Sequence, residues 1–258
     1  MRRVHVSTLA VAALAMASQV AAAQGGMDET TRKVEGGGIK VPGWMGKADG
    51  SGKVEEAKLT KEGNVFHVTT GPAVTYWNPA NKASGDYTVK ATFTEPKYMN
   101  LNDHPHPYGI AIGGNNTGTP EETSMYCAAY GNGNFIVRGF GPAPFQLNGR
   151  RGEANAAVHK AAGPGEPVTQ DIAISVKGDR VECSINGTVV GGYDKPAVVG
   201  AGKLSSTDGS YGLRFAHNTE VMVTGFTMTK NSFRVKFTSI SVRTSTGSPL
   251  SSVGAYRH

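Results

Sequence analysis

Between residues 171 and 193 the chain reads DIAISVKGDRVECSINGTVVGGY, with apolar side chains on alternate positions. Ile172, Ile174 and Val176 alternate with polar or small neighbours, and so do Val181, Cys183 and Ile185. A period of two buries one face of a strand and leaves the other to solvent. Lys177-Gly178-Asp179 separates the first two runs, and Asn186-Gly187 ends the second. Asn-Gly supplies the positive φ angles that a two-residue hairpin needs. The stretch predicts a three-strand antiparallel meander with a charged outer face and an inner face closed by Val181, Cys183 and Ile185.

The same pattern recurs along the chain. Residues 65–70 and 73–77 read as an early strand pair around Gly71-Pro72. Residues 87–93 are a clean strand with Tyr87, Val89, Ala91 and Phe93 inward. Residues 108–113 follow a His/Pro loop, and 124–130 with 135–140 form a hairpin over Gly131-Asn132-Gly133. Strands at 211–217 and 221–228 close the domain, far in sequence from their partners, as a Greek key requires. The one helical candidate is 154–162, ended by Gly163-Pro164, within a Gly- and Pro-rich connection over 141–167. Connections of that length are often functional.

Both faces of the hairpin carry apolar residues. One face is read as Tyr126, Tyr130, Phe135 and Val137, the other as Met125, Cys127, Ile136, Arg138 and Phe140. One must pack in the core, and the other becomes a partly covered surface. With the tyrosines inward, Cys127 points away from Cys183 and the two cysteines stay free thiols, the reading preferred here. The opposite orientation permits a disulfide.

The two ends differ from the body. Arg2 and Arg3, a short apolar run over 7–17 and Ala21-Ala22-Ala23 form a cleavable secretory signal over 1–23, with Gln24 the first mature residue. A flexible segment over 24–40 precedes a sandwich domain over 41–230. Residues 231–258 hold ten Ser or Thr, four basic side chains and no acid, and read as a basic, disordered tail. The chain of 258 residues has a formal charge of +6, but the two ends carry the excess. The body balances, so it lacks the basic footprint of a nucleic-acid binder. These features place the protein in the periplasm or outside the cell, with no integral membrane segment in the mature chain.

The meander, followed by DGSYGLRFAHNTEVMVTGFTMTK over 208–230, resembles the closing half of a concanavalin A-like lectin/glucanase domain. GDYTVKATF (85–93) and YGIAIGG (108–114) resemble its first core strands. Within that superfamily the chain looks most like bacterial secreted 3-keto-disaccharide hydrolase-type domains and their uncharacterised relatives. The resemblance covers about residues 41–230. It implies an all-β fold, a concanavalin A-like antiparallel β-sandwich or jelly roll. The Glu-x-Asp-x-x-Glu strand motif of the glucanase branch is absent, so no catalytic residue carries over.

Candidate ligand-binding residues are therefore aromatic and histidine side chains near strand ends. Tyr76, Trp77, Tyr108 and Tyr126 offer faces for sugar rings, and Arg138 would face the open side of the hairpin. His104 and His106, beside Asp103, make the most site-like loop; a third metal ligand at ordinary spacing is missing, so no metal is assigned. His217 ends a strand and could bind a hydroxyl or act as a base. Asp49-Gly50-Ser51-Gly52 reads as a surface turn. No phosphate loop or cofactor motif occurs, and no cofactor is expected. Three functions stay open: an exported carbohydrate-binding module for a glycan or small sugar, a 3-keto-disaccharide-type glycoside hydrolase, and a structural or adhesive envelope domain. Activity is expected on the sheet opposite the meander, around 102–108 and 124–140.

Overall fold

A computed structural model describes residues 31–231. The signal peptide and the basic tail expected from the sequence lie outside the described residues. In chain order the strands are β1 (Gly38–Ile39), β2 (Met45–Ala48), β3 (Ala57–Glu62), β4 (Val65–Thr70), β5 (Val74–Ala83), β6 (Tyr87–Glu95), β7 (Tyr108–Asn115), β8 (Thr123–Ala129), β9 (Asn134–Phe140), β10 (Phe145–Gln146), β11 (Glu153–Ala154), β12 (Val168–Lys177), β13 (Arg180–Ile185), β14 (Thr188–Asp194), β15 (Gly209–Phe215) and β16 (Glu220–Lys230). They build two sheets. The first runs β1-β3-β4-β16-β6-β12-β13-β14, and the second runs β10-β9-β8-β7-β15-β5-β2, with β11 on β9. All pairings are antiparallel except β1 with β3. The all-β antiparallel sandwich expected from the alternation is the observed architecture. β15 and β16, last in sequence, sit in the middle of the two sheets, so the chain closes only when its end arrives.

The core lies between the sheets. Ile172, Ile174, Val176, Val181, Cys183 and Ile185 all point into it, as the meander pattern requires. Opposite them stand Ile110, Cys127, Val137, Leu213 and Phe215. Phe93 stacks on Tyr108 with ring centroids 5.8 Å apart, joining the sheets through their aromatic middle. Asn186 and Gly187 have φ of 50° and 81°, the left-handed pair that an Asn-Gly hairpin turn demands.

Four expectations are corrected. The cross-strand partners are Tyr126 with Arg138 and Cys127 with Val137. The register joins the Met125 and Cys127 face of one strand, not the tyrosine face, to the Phe135 and Val137 face of the other. The true inner face is Met125, Cys127, Ala129, Phe135 and Val137, which sends the tyrosine outward and Cys127 inward. Cys127 and Cys183 then form a disulfide, with Cα atoms 5.9 Å apart, that ties the second sheet to the first. Residues 65–70 and 73–77 do not pair: β4 lies in the first sheet and β5 in the second, with Gly71-Pro72 crossing between them. Residues 154–162 form no helix; the chain there is held to the hairpin by β11 and by an Asn132–Lys160 bridge. Local Ala content favoured helix, but the unpaired edge of β9 takes the segment instead.

Candidate functional site

The second sheet buries its outer face as well as its inner one. On β15, Leu213 and Phe215 enter the core, so Gly212 and Arg214 face outward. Arg214 pairs with Thr75 on one side and Gly109 on the other, and Thr75 pairs with Lys47. Gly212 lies between Trp77 and Ala111 in the next row. Small residues thus form a lane between larger ones. Ala111, Tyr126, Ala128 and Ile136 make a second apolar cluster here, with Tyr130 and Phe140 packed on it.

Arg214 is the centre of this face. It is 6% exposed. Its Nη1 donates to Asp49 Oδ1 at 2.7 Å and to Thr75 Oγ1 at 3.2 Å, while Nη2 donates to Asp49 Oδ2. The guanidinium carbon sits 5.3 Å from the Tyr126 ring and 5.1 Å from the Phe140 ring. Burial works against the cation, but the Asp49 charge and its hydrogen bonds outweigh it, so the guanidinium is held protonated more firmly than usual. A bidentate fork between two aromatic faces fixes both the carboxylate and the guanidinium in one geometry.

Above this array opens a groove of about 960 Å³, lined by Lys47, Asp49, Thr75, Glu122, Phe140 and His217 among others. Glu122 is nearly buried; its Oε2 lies 3.2 Å from Lys47 Nζ and accepts the Gly118 N–H at 2.9 Å. Lys47 Nζ also donates to Thr119 O at 2.9 Å. Pro72, Pro120 and Pro144 add rigid apolar wall. A second, shallower groove of about 920 Å³ lies beside it, lined by Lys58, Thr69, Asn102, Asp103 and Asn218. The segment Thr31–Lys33 borders both. The Arg32 N–H donates to Asn218 Oδ1 at 2.8 Å, and Arg32 Nε donates to Leu101 O.

Of the eight sequence candidates, only His217 lines the larger groove. Tyr76 and Tyr108 are fully buried between the sheets, against Phe215 and Phe93, because their strand parity turns them inward. They cannot meet a ligand. Trp77 faces outward, but the backbone at Gly118 covers its ring and leaves it 4% exposed. Tyr126 supports Arg214 from below. Arg138 is drawn to the loop beyond β10, where its Nη2 donates to Arg150 O. The sequence reading missed Asp49, Lys47, Thr75, Glu122 and Arg214. An outward Arg in the alternation of GLRF was a legible signal; its partner Asp49, 165 positions away, was not.

His104 and His106 form a separate cluster with His217. His104 Nδ1 lies 2.8 Å from Asp103 Oδ1, and the two Nε2 atoms of His104 and His106 lie 2.7 Å apart. His106 Nδ1 lies 2.5 Å from the His217 carbonyl oxygen, and the His106 and His217 rings meet edge to face at 4.0 Å. Desolvation pushes the His106 imidazole down to about 4. Among the described residues no group of three or more His, Cys, Asp or Glu has the geometry to hold a metal ion. No helix of the described residues is long and apolar enough to cross a membrane.

No family model matches the sequence, and no curated protein matches it. Solved structures share its shape loosely. One is the carbohydrate-binding module CBM66 of Bacillus subtilis, 10% identical, covering 76% of this chain and 99% of that one at a TM-score of 0.42. Another is a galectin-like-fold protein of unknown function from Bacillus subtilis, 13% identical, covering 72% and 89% at 0.46. A third is a candidate glycosyl hydrolase from Parabacteroides distasonis, 13% identical, covering 74% and 89% at 0.44.

Proposed function

We propose that this chain is an exported carbohydrate-binding β-sandwich, and that its ligand lies in the groove over β2, β5 and β15. The observation that carries the reading is the Asp49–Arg214 fork. Its members are locked by Thr75, Tyr126 and Phe140 before any ligand arrives. Sugars are recognised by a few fixed polar groups beside apolar surface, and fixed groups lose little entropy on binding. Asp49, Glu122 and Lys47 supply acceptors and a donor on the groove floor, and Phe140 with the prolines supplies the apolar part.

Binding is favoured over hydrolysis because, of the three carboxylates that line the groove, Asp49 is ion-paired with Arg214 and Glu122 with Lys47, while Glu56 accepts the Lys53 backbone N–H. An envelope domain that docks protein would present a flat apolar patch, whereas among the described residues the large exposed apolar side chains, Met45 and Val189, lie on different sheets.

A glycan array followed by calorimetry on the intact exported chain tests the reading. Binding to a defined glycan, lost in Thr75→Val and Lys47→Met while the fold is kept, is the expected result. Turnover of a 3-keto-glucoside that survives Lys47→Met but not His217→Ala would replace the reading with the hydrolase one. No glycan bound at millimolar concentration would refute it.

A further inference from the structure

Trp77 stands in a row across the outer face of the second sheet, with Met45 on β2 to one side and Gly212 on β15 and Ala111 on β7 to the other. Gly212 has no side chain and Ala111 only a methyl, so the indole heads a flat apolar shelf. Met45 beside it is 49% exposed, one of the two large apolar side chains so exposed among the described residues. Yet Trp77 itself is 4% exposed. Its ring is covered by the 116–121 turn: a Cβ built on Gly118 would lie 3.4 Å and 3.5 Å from the Cη2 and Cζ2 atoms. Gly118 is itself exposed, so a single thickness of backbone separates this edge of the indole from solvent.

The turn is weakly attached. Asn116, Gly118, Thr119, Pro120 and Glu121 are exposed, and the one apolar side chain among them, Pro120, lines the larger groove. The turn closes on itself: the Thr119 N–H and Oγ1 both donate to Asn116 O, and the Glu121 N–H donates to Thr119 Oγ1. The Gly118 N–H donates to Glu122 Oε2, and the Glu122 N–H to Thr119 O. Among the described residues, one hydrogen bond ties the turn to anything beyond Glu122: Lys47 Nζ donates to Thr119 O at 2.9 Å. Lys47 and Glu122 both line the larger groove, and the Lys47 side chain is 41% exposed. The fastening of the turn is thus open to whatever fills the groove.

We propose that residues 116–121 form a lid over Trp77, latched at the groove by Lys47, and that the shelf beneath the lid is a stacking subsite for one ring of a bound sugar. The occupant rests on the carbohydrate reading; the lid does not. Residues two apart on a strand stand about 7 Å apart on one face, so Thr75 in the groove and Trp77 under the lid are consecutive outward positions of β5. A sugar hydroxyl that accepts from Lys47 Nζ competes with Thr119 O, so filling the groove loosens the latch. The uncovered indole then offers an apolar face to the C–H side of a sugar ring. Met45 borders that face on β2, and Gly212 leaves room on β15. The groove lengthens by one ring when it binds.

The lid is tested on the intact chain without ligand. A nitrobenzyl sulfonium reagent alkylates indole, and peptide mass spectrometry separates Trp77 from Trp44, the other tryptophan. The expected rate at Trp77 is set by local opening, so it stays flat in urea below the unfolding transition; a rate set by global unfolding rises steeply. Lys47→Met should raise the rate about tenfold, the weight of one hydrogen bond, with the same flat dependence on urea. A Trp77 that reacts only through global unfolding in both proteins would overturn the lid. The subsite is tested with a glycan selected on the array. It should slow the alkylation of Trp77, and Trp77→Leu should weaken its binding about tenfold, with Trp77→Phe, which keeps a flat ring, losing less. A glycan that leaves the alkylation unslowed, or that binds Trp77→Leu as tightly as the wild type, overturns the subsite and leaves the groove reading standing. No glycan bound at all overturns the sugar as occupant together with the groove reading, and the lid is then judged by its alkylation rate alone.

Discussion

Glu95 gives the sharpest prediction about stability. It ends β6 and is 6% exposed. Its Oε1 accepts the Met99 N–H at 3.1 Å, while its Oε2 has no hydrogen-bond partner among the described residues. A Cβ placed on Gly131 would lie 3.1 Å from Oε2 and 2.5 Å from the Tyr98 ring, so backbone and aromatic surface close over the carboxyl. Desolvation raises its pKa from 4.5 to about 7, against the smaller pull of the Met99 bond. The folded state therefore keeps a proton that the unfolded chain releases between pH 4.5 and 7. Stability from this group is full below 4.5 and is lost as pH rises through 7, by about 3 kcal/mol over the window. His106, lowered to about 4, titrates with the opposite sign over pH 4 to 6.5 and blurs the wild-type profile. Glu95→Gln isolates the effect, since the amide keeps the acceptor for Met99 and does not ionise. Urea denaturation from pH 4.5 to 8 should show the variant gaining about 3 kcal/mol on the wild type across the range. Parallel profiles for the two proteins would refute the argument, for then Glu95 would reach solvent in the folded state.

Other consequences can be measured directly. Replacing Cys127 and Cys183 by Ser should lower stability by about 4 kcal/mol, the loop-closure value for a separation of 56 residues, in urea melts without reductant. Asp49→Asn should cost about 3 kcal/mol by leaving the Arg214 guanidinium buried without a counter-charge. Pairing it with Arg214→Met in a double-mutant cycle should restore most of that loss. Gly187→Val should destabilise by about 1–2 kcal/mol, because a β-branched residue would be forced to φ near 81° in the β13–β14 turn. On the proposed export, mass spectrometry of the mature protein should give a chain beginning at Gln24.

The legible part of the molecule was the part governed by period two. Tyr87, Val89, Ala91 and Phe93 point inward in a strand legible directly from their spacing, and so do Ile172, Ile174, Val176, Val181, Cys183 and Ile185 of the meander. Parity within one strand is local information. Which face of a neighbouring strand aligns with it is not, and the hairpin shows the consequence. The alternation within each strand is legible, but the way the two strands join across the turn is not, and joining them the other way exchanges Tyr126 for Cys127 and hides the disulfide. The site failed for a related reason. Asp49, Thr75, Glu122 and Arg214 come from four separate stretches, and only the central place of β15 between β5 and β7 gathers them. His104, His106 and His217 stand out in the sequence as residue types, but their contact depends on how the end of β15 returns beside the 102–108 loop.

The two outer faces explain why the groove belongs to the second sheet. The first sheet meets solvent with short polar ladders: Thr94 with Thr169, Thr92 with Asp171, Lys177 with Glu182 and Arg180 with Asp194. Such pairs are individually weak and leave the side chains free to exchange partners with water. The second sheet spends Trp77, Tyr126, Ile136 and Phe140 on an apolar layer outside its own core. That layer adds to stability, but a sandwich with a complete core between its sheets does not require it. What it does is surround Arg214 with low-dielectric material, where the ion pair with Asp49 has one geometry rather than many. A surface Arg–Asp pair would fluctuate, and a ligand would have to order it. Here the ordering is done by folding, and the carboxylate is presented to the groove already fixed. If that is the purpose of the layer, Tyr126→Ala should weaken ligand binding without removing any group that touches the ligand, through a faster off-rate at unchanged on-rate. An unchanged off-rate in that variant would show the outer layer to be packing alone.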